Sequence, residues 1–201
     1  MKKILRLVLS LAMFCTACST AWVSTLDSIL AAAAPALINI LQIVAVANGR
    51  PMNNKLAVKI NADATLIKTL AHDFSQASSA SAPGVCQQLQ AAVSAYQADE
   101  QLVLQVAQVS DPNTQTKITL LSNLVAGTIQ AITAVIPSCK NTVSRQTFRS
   151  APPYSLSTFT EHYNSVLVAP TGNAAVDAAT TKLKLYRHTK LARSVTMGLL
   201  Q

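Results

Sequence analysis

The residues that most often carry out catalysis or bind metal ions are sparse in this chain. Its three histidines, His72, His162 and His188, are too far apart for a metal-binding motif, and none has a partner four residues away. The eight carboxylates are scattered, and the sequence contains no G-x-S-x-G, G-x-G-x-x-G, H-E-x-x-H or P-loop motif. The sequence therefore predicts no catalytic residue, no cofactor and no metal site. We expect a protein that is not an enzyme, with an enzyme of unrecognised site as an alternative.

Composition indicates a single helical domain. Half of the 201 residues are hydrophobic, 12% are charged and 4% are aromatic, and the apolar content owes much to 32 alanines. Disordered chains show the reverse balance, with few apolar residues and much charge, so disorder over the whole length is excluded. Alanine-rich apolar segments favour closely packed helices.

The first 17 residues have the layout of a secretory signal peptide. The cationic residues Lys2, Lys3 and Arg6 precede an apolar run from Leu7 to Phe14, and small residues follow that run. The run is too short to span a bilayer stably, so its removal during export is expected.

The sequence Cys15-Thr16-Ala17-Cys18 at the end of this segment resembles the lipobox of bacterial lipoprotein precursors, with Cys15 where leucine is usual. The resemblance implies that Cys18 becomes the lipidated first residue of the mature protein. It therefore implies a membrane partner through a lipid anchor, in the periplasm or at the outer membrane. The alternatives are ordinary signal peptidase cleavage after Ala17 or Ala21, and an uncleaved membrane anchor.

Removal of Cys15 and lipidation of Cys18 would leave Cys86 and Cys139 as the two remaining cysteines. Exported proteins occupy oxidising compartments, so these two residues are predicted to form a disulfide. Such a bond would stabilise the fold by roughly 2 to 4 kcal/mol.

Apolar periodicity predicts an up-and-down bundle of about four helices in residues 18–139. The first helix should be central, because its apolar residues lie almost all round, with Pro35 bending or splitting it and Gly49 ending it. Asp111 should cap the fourth helix, with Pro112 in its first turn. The disulfide would then join the open ends of the third and fourth helices. The predicted helices are 25–48, 54–78, 85–109 and a fourth from Asp111 toward Pro137.

An uncharged run of 22 residues, Ser28 to Gly49, is also long enough to cross a bilayer. The run contains a proline and two polar residues that disfavour a membrane span, namely Pro35, Asn39 and Gln42. A core helix is therefore the favoured interpretation. The alternative is an integral inner-membrane helical protein with 28–49 as its span. Its layout would resemble that of small pore-forming membrane proteins.

The C-terminal part is predicted to be basic. Residues 140–172 form a loop-rich connection with a short helix from Ser157 to Val168, and 173–201 form a basic amphipathic helix capped by Asn173 and running to about Leu199. From Lys140 onward, eight lysines and arginines stand against two carboxylates. Five of these cations are candidate contacts for anionic lipid or an acidic envelope partner: Lys182, Lys184, Arg187, Lys190 and Arg193.

Nucleic acid is not an expected partner, because the protein is predicted to be exported and has few aromatic residues for stacking. The sequence as a whole predicts an exported, lipid-anchored, all-helical protein with a structural or interaction role at the cell envelope.

Overall fold

The computed structural model describes residues 21–78, 80–135 and 155–185. Helices make up 82% of these residues, and no strand occurs among them. The all-α prediction is confirmed. The six helices are α1 (Ala21–Ala47), α2 (Asn54–Gln76), α3 (Ala82–Val106), α4 (Pro112–Val135), α5 (Leu156–Val168) and α6 (Ala174–Thr180).

Helix α1 is the centre of the bundle and packs against each of the other five helices. Its buried residues lie on every side, as its nearly continuous apolar sequence predicted. Pro35 was predicted to bend or to split this helix; the split is excluded, because α1 is a single helix and Pro35 lies within it at an exposed position. Gly49 ends the segment in the left-handed region at φ 60°, where glycine avoids the steric cost that other residues meet.

Helix α1 is also long and apolar enough to cross a membrane, with a mean hydropathy of 2.2 from Trp22 to Ala47. The core helix of a soluble bundle meets the same length and composition test. In this fold, 67% of its apolar window is buried against other parts of the protein. Its packing is therefore that of a core helix.

The other long helices form a bundle around α1. The closest pairs are α1 with α4, α2 with α3, and α1 with α2, and short connections between 47 and 54, 76 and 82, and 106 and 112 reverse the chain each time. Asp111 caps α4 as predicted, since its Oδ2 accepts a hydrogen bond from the Thr114 N–H at 2.7 Å.

The C-terminal helix is shorter than predicted. Asn173 caps it as expected, and its Oδ1 accepts from the N–H groups of Ala175 and Val176, but the helix ends at Thr180. The prediction that it runs to about Leu199 is therefore wrong for residues 181–185, which are not helical, and 186–201 lie outside the described residues. The predicted loop at 140–154 also lies outside them.

The early end of α6 has a tertiary cause. The Asn39 Nδ2 donates to the carbonyl oxygen of Leu183 at 2.7 Å. The Asn164 side chain both donates to the Leu185 carbonyl oxygen at 2.7 Å and accepts from the Leu185 N–H at 2.8 Å. These bonds occupy backbone groups that a continuing helix would pair internally.

Candidate functional site

The residues predicted from the sequence to have special roles are only partly within the described structure. Cys86 lies near the start of α3 and is 1% exposed, whereas Cys18 and Cys139 are outside the described residues. Lipidation of Cys18 and the Cys86–Cys139 disulfide therefore stay predictions. Lys182 and Lys184 are exposed in the non-helical segment after α6, and Arg187, Lys190 and Arg193 are outside the described residues.

The structure brings together a group of charged side chains that sequence spacing did not reveal, between α2 and α3. The Lys59 Nζ lies 2.7 Å from Asp63 Oδ2, one turn away on α2. The same Nζ lies 2.6 Å from Asp99 Oδ1 on α3. One ammonium group thus joins two carboxylates and ties the two helices together.

Burial differs sharply within this group. The Asp99 side chain is 1% exposed, whereas the Lys59 side chain is half exposed. Burial raises the pKa of Asp99 above its ordinary value, although the hydrogen bond from Lys59 acts in the opposite direction. The hydrogen bonds to Asp63 and Asp99 raise the pKa of Lys59, so its ammonium stays protonated.

Two further polar groups on the same part of α3 are buried. Tyr96 is fully buried, and burial raises the pKa of its hydroxyl. Glu100 is 6% exposed, and burial raises the pKa of its carboxyl as well. Neither the Tyr96 hydroxyl nor the second Asp99 oxygen has a hydrogen-bond partner within the described structure.

This arrangement is suited to joining helices and poorly suited to catalysis. Asp99 has almost no access to solvent, so a substrate could not reach its carboxyl. Lys59 is held protonated and cannot act as a base. Among the described residues, no group of three histidine, cysteine or acidic side chains could hold a metal ion. His72 and His162 are both exposed and lie on different helices.

A second polar group fixes α5 and α6 to the bundle. The Lys117 side chain on α4 is 4% exposed; its Nζ donates to the Leu167 carbonyl oxygen at 3.0 Å and lies 3.7 Å from Asp177 Oδ1. Asp177 in turn accepts hydrogen bonds from the backbone N–H groups of Thr171 and Gly172 and from the Thr171 hydroxyl. These contacts connect α4, the end of α5 and the turn that precedes α6.

The segment 181–185, which we call the C-terminal strap, lies against α1 and α5. The Asn39 and Asn164 side chains hold its backbone through the hydrogen bonds described above. Leu183 and Leu185 are partly buried, and Lys182 and Lys184 are exposed. An open pocket of about 350 Å³ lies beside it; its lining includes Glu161, Asn164, Ser165 and Lys184.

Neither polar group was found from the sequence because both depend on contacts between distant segments. Lys59 and Asp99 are separated by 40 residues, and Lys117 and Leu167 by 50. A detectable signal was present in one case: Asp99 and Glu100 fall near the apolar stripe of α3 that includes Tyr96 and Val103. Carboxylates beside such a stripe indicate buried charge that needs a partner.

No protein-family model, curated protein or solved structure matches this chain.

Proposed function

We propose that this protein is exported and lipid-anchored through Cys18, with a structural or interaction role at the cell envelope. The observation that carries the proposal is the placement of the lipobox-like cysteine directly before a helix that is used as a bundle core. Cys18 stands three residues before Ala21, which is the first described residue of α1. A lipid on Cys18 would hold the bundle close to the membrane surface.

The packing of α1 supports attachment by lipid over attachment by a transmembrane helix. Helix α1 contacts all five other described helices, and its apolar residues form the largest part of the core. Insertion of α1 into a bilayer would remove those contacts from the bundle. It would also carry Asn39, which holds the C-terminal strap, away from the Leu183 carbonyl.

The described polar groups support an interaction role over an enzymatic one. Asp99 is buried and paired with Lys59, and Lys117 is buried beside Asp177. Both groups join parts of the bundle, and in each the charged side chains pair with one another. The exposed surface carries the side chains that a partner would meet, including the lysines of the C-terminal strap.

The mature protein's mass and first residue test the proposal. Mass spectrometry of protein isolated from the producing cell's membranes should show an acylated N-terminal Cys18. The variant Cys15→Leu, which places the usual lipobox residue at that position, should keep the acyl mass. The variant Cys18→Ala should lose it.

Carbonate extraction separates the two forms of membrane attachment. An unmodified N-terminus at Ser19 or later, or an intact signal segment, would contradict lipid anchoring. If the Cys18→Ala protein, with its signal segment removed, resists carbonate extraction, α1 acts as a membrane span and the integral-membrane alternative is supported. Its release would favour the core-helix role of α1.

A further inference from the structure

The outer side of the α2–α3 hairpin, which faces away from α1, carries exposed apolar side chains. Six large hydrophobic residues of the described structure are exposed, and four of them lie on these two helices. They are Val58 and Leu66 on α2 and Leu102 and Val106 on α3. Single exposed apolar residues are ordinary on protein surfaces, but a group of them on one helix pair is typical of an interaction surface.

Helix α3 adds no exposed charge to this surface. Its charged residues are Asp99 and Glu100, and both are buried. The middle of its exposed side is small, because Ala91, Ser94 and Ala98 recur there at spacings of three and four residues. Small side chains allow another helix to come close, and a surface without charge does not repel a copy of itself.

A row of four exposed residues on α2 is complementary to itself. Lys55 and Asp73 are separated by about five helical turns, and Ala62 and Leu66 lie between them on the same side of the helix. The midpoint between Lys55 and Asp73 is also the midpoint between Ala62 and Leu66. When two such rows pair antiparallel, each lysine therefore meets an aspartate, and each leucine meets an alanine.

We infer that two copies of this chain associate through the outer sides of their α2–α3 hairpins, with the two α2 helices antiparallel. A two-fold axis near the level of Ala64 places Lys55 beside Asp73 of the partner subunit. It also places Leu66 against Ala62 of the partner subunit. Such a contact is isologous, since both copies use the same surface. The inference goes beyond the proposed envelope role and does not depend on the lipid anchor.

The same rotation brings the two α3 helices together. The Lys59–Asp99 contact fixes the level of α2 against α3, and because these helices are antiparallel, Ala64 is about level with Ser94. Ser94 therefore lies near the two-fold axis, where its small side chain leaves room for the partner's helix. The ion pairs of Lys59 also hold α2 and α3 together as one surface.

The hairpin is large enough for a stable dimer. Helix α2 has 23 residues and is about 35 Å long, and two helices side by side are about 20 Å wide. The outer side therefore measures about 700 Å², close to the roughly 800 Å² that each partner buries in a standard protein interface. A second copy would cover the exposed apolar residues of both hairpins.

A second copy also fits this surface better than a strongly charged partner does. The row on α2 has a positive end at Lys55 and a negative end at Asp73, and the Lys59 ammonium is paired with carboxylates of its own chain. An anionic membrane or a highly acidic protein would meet no excess of positive charge on this row. Opposite charges at the two ends favour an antiparallel copy instead.

Carbodiimide cross-linking of the protein in the producing cell's membranes tests this arrangement, because the reagent joins an amine to a carboxyl group that it contacts. Lys55 and Asp73 of one chain are about 27 Å apart along α2, so a bond between them must join two copies. We expect a cross-linked dimer whose digest contains a peptide linking these two residues. A dimer without this peptide would overturn the inference. A monomer would also overturn it and would leave another segment of this chain or a different protein to cover the hairpin.

Two matched variants locate the contact. Leu66→Glu on α2 and Leu120→Glu on α4 each replace an exposed leucine, 47% and 48% exposed respectively. Sedimentation equilibrium in density-matched detergent should show that Leu66→Glu raises the dissociation constant of the dimer by about tenfold or more, whereas Leu120→Glu leaves it unchanged. Circular dichroism should show the wild-type helix content in both. Equal effects of the two variants, or a larger effect of Leu120→Glu, would place the contact elsewhere and overturn the inference.

Exchange of the two end charges tests the antiparallel direction. Lys55→Asp should weaken the dimer, because it places two carboxylates beside each other at both ends of the paired rows. Lys55→Asp/Asp73→Lys restores opposite charges and should recover the wild-type dissociation constant. The exchange also suits the dipole of α2, so it should not impair folding. A double variant that associates as weakly as Lys55→Asp would show that these two residues do not meet, and the inference would be overturned.

Discussion

Lys59 on α2 donates a hydrogen bond from Nζ to Asp99 Oδ1 on α3 at 2.6 Å, and this contact joins two helices across 40 residues of sequence. The two partners differ in environment, because the Asp99 side chain is 1% exposed and the Lys59 side chain is 50% exposed. Lys59 brings the positive charge to the carboxyl from the solvent side. Loss of Lys59 would therefore leave the Asp99 carboxylate buried without a countercharge, whereas loss of Asp99 would leave Lys59 in contact with solvent and Asp63.

Replacement of Lys59 should destabilise the fold. In Lys59→Gln, the Asp99 carboxylate would lose its countercharge while remaining buried, and Asp63 would be close to it without a cation between them. We expect a loss of about 1 to 2 kcal/mol in the free energy of unfolding, less than for a fully buried pair because Lys59 is half exposed. Urea unfolding monitored by circular dichroism measures this change.

The double variant Lys59→Gln/Asp99→Asn provides the control, because it removes the buried charge together with its partner. It should recover most of the stability lost in Lys59→Gln. A double variant that is less stable than Lys59→Gln would show that Asp99 contributes by means other than its pairing with Lys59.

Stability should rise as the pH is lowered from neutral and then fall in stronger acid. Burial raises the folded-state pKa of Asp99 above 3.8 and that of Glu100 above 4.5. Their contribution to stability is full below these ordinary values and is lost as the pH rises through the folded-state values. Hydrogen bonds lower the pKa of Asp111 and Asp177 below 3.8, so their contribution is present above that value and is lost as the pH falls through the folded-state values.

The stability maximum should therefore lie on the acid side of neutrality, between the transitions of these two pairs of carboxyl groups. Thermal unfolding between about pH 7 and about pH 3 measures the profile, and Asp99→Asn should reduce the gain on acidification without altering the loss in stronger acid. Identical profiles for the wild type and Asp99→Asn would show that the raised pKa of Asp99 does not govern the acid response.

Lys117 and Asp177 should respond differently to substitution, although they form one ion pair. Asp177→Ala removes an acceptor of hydrogen bonds from Thr171 and Gly172 and leaves the buried Lys117 ammonium without its nearby carboxylate. We expect a loss of about 2 to 3 kcal/mol. Lys117→Met removes the buried charge and keeps an unbranched side chain, so the change should stay within about 1 kcal/mol. Urea unfolding of the two variants side by side measures both changes. A larger loss of unfolding free energy in Lys117→Met than in Asp177→Ala would contradict this account.

The predicted Cys86–Cys139 disulfide can be tested on the mature protein without reduction. Thiol titration under denaturing conditions should find no free thiol if Cys18 is acylated and Cys86 is paired with Cys139. Reduction should expose two thiols, and tryptic peptides containing the two cysteines should be linked before reduction and separate after it. Two free thiols in the unreduced protein would contradict the pairing.

The sequence predicted the features that local residues determine. Gly49 ends the α1 segment, Asp111 caps α4 and Asn173 caps α6, because each acts on backbone groups within a few residues of itself. The end of α6 depended instead on Asn39 and Asn164, which lie far from it in the sequence. Periodicity identifies the apolar side of a helix but does not fix how far one helix is shifted along another, so the meeting of Lys59 with Asp99 could not be predicted.

Release of the C-terminal strap should expose its lysines to protease. Asn164→Ala removes both hydrogen bonds to the Leu185 backbone, whereas Leu183 would still be held by Asn39. We expect cleavage by trypsin after Lys182 and Lys184 in detergent solution to accelerate by about tenfold, and global stability to fall by about 1 to 2 kcal/mol. Asn123→Ala makes the same substitution at an exposed position on α4 and should leave both quantities unchanged. If the two variants are cleaved at the same rate, Asn164 does not hold the strap, and the end of α6 at Thr180 must be determined by Asn39 and the packing of Leu183 and Leu185.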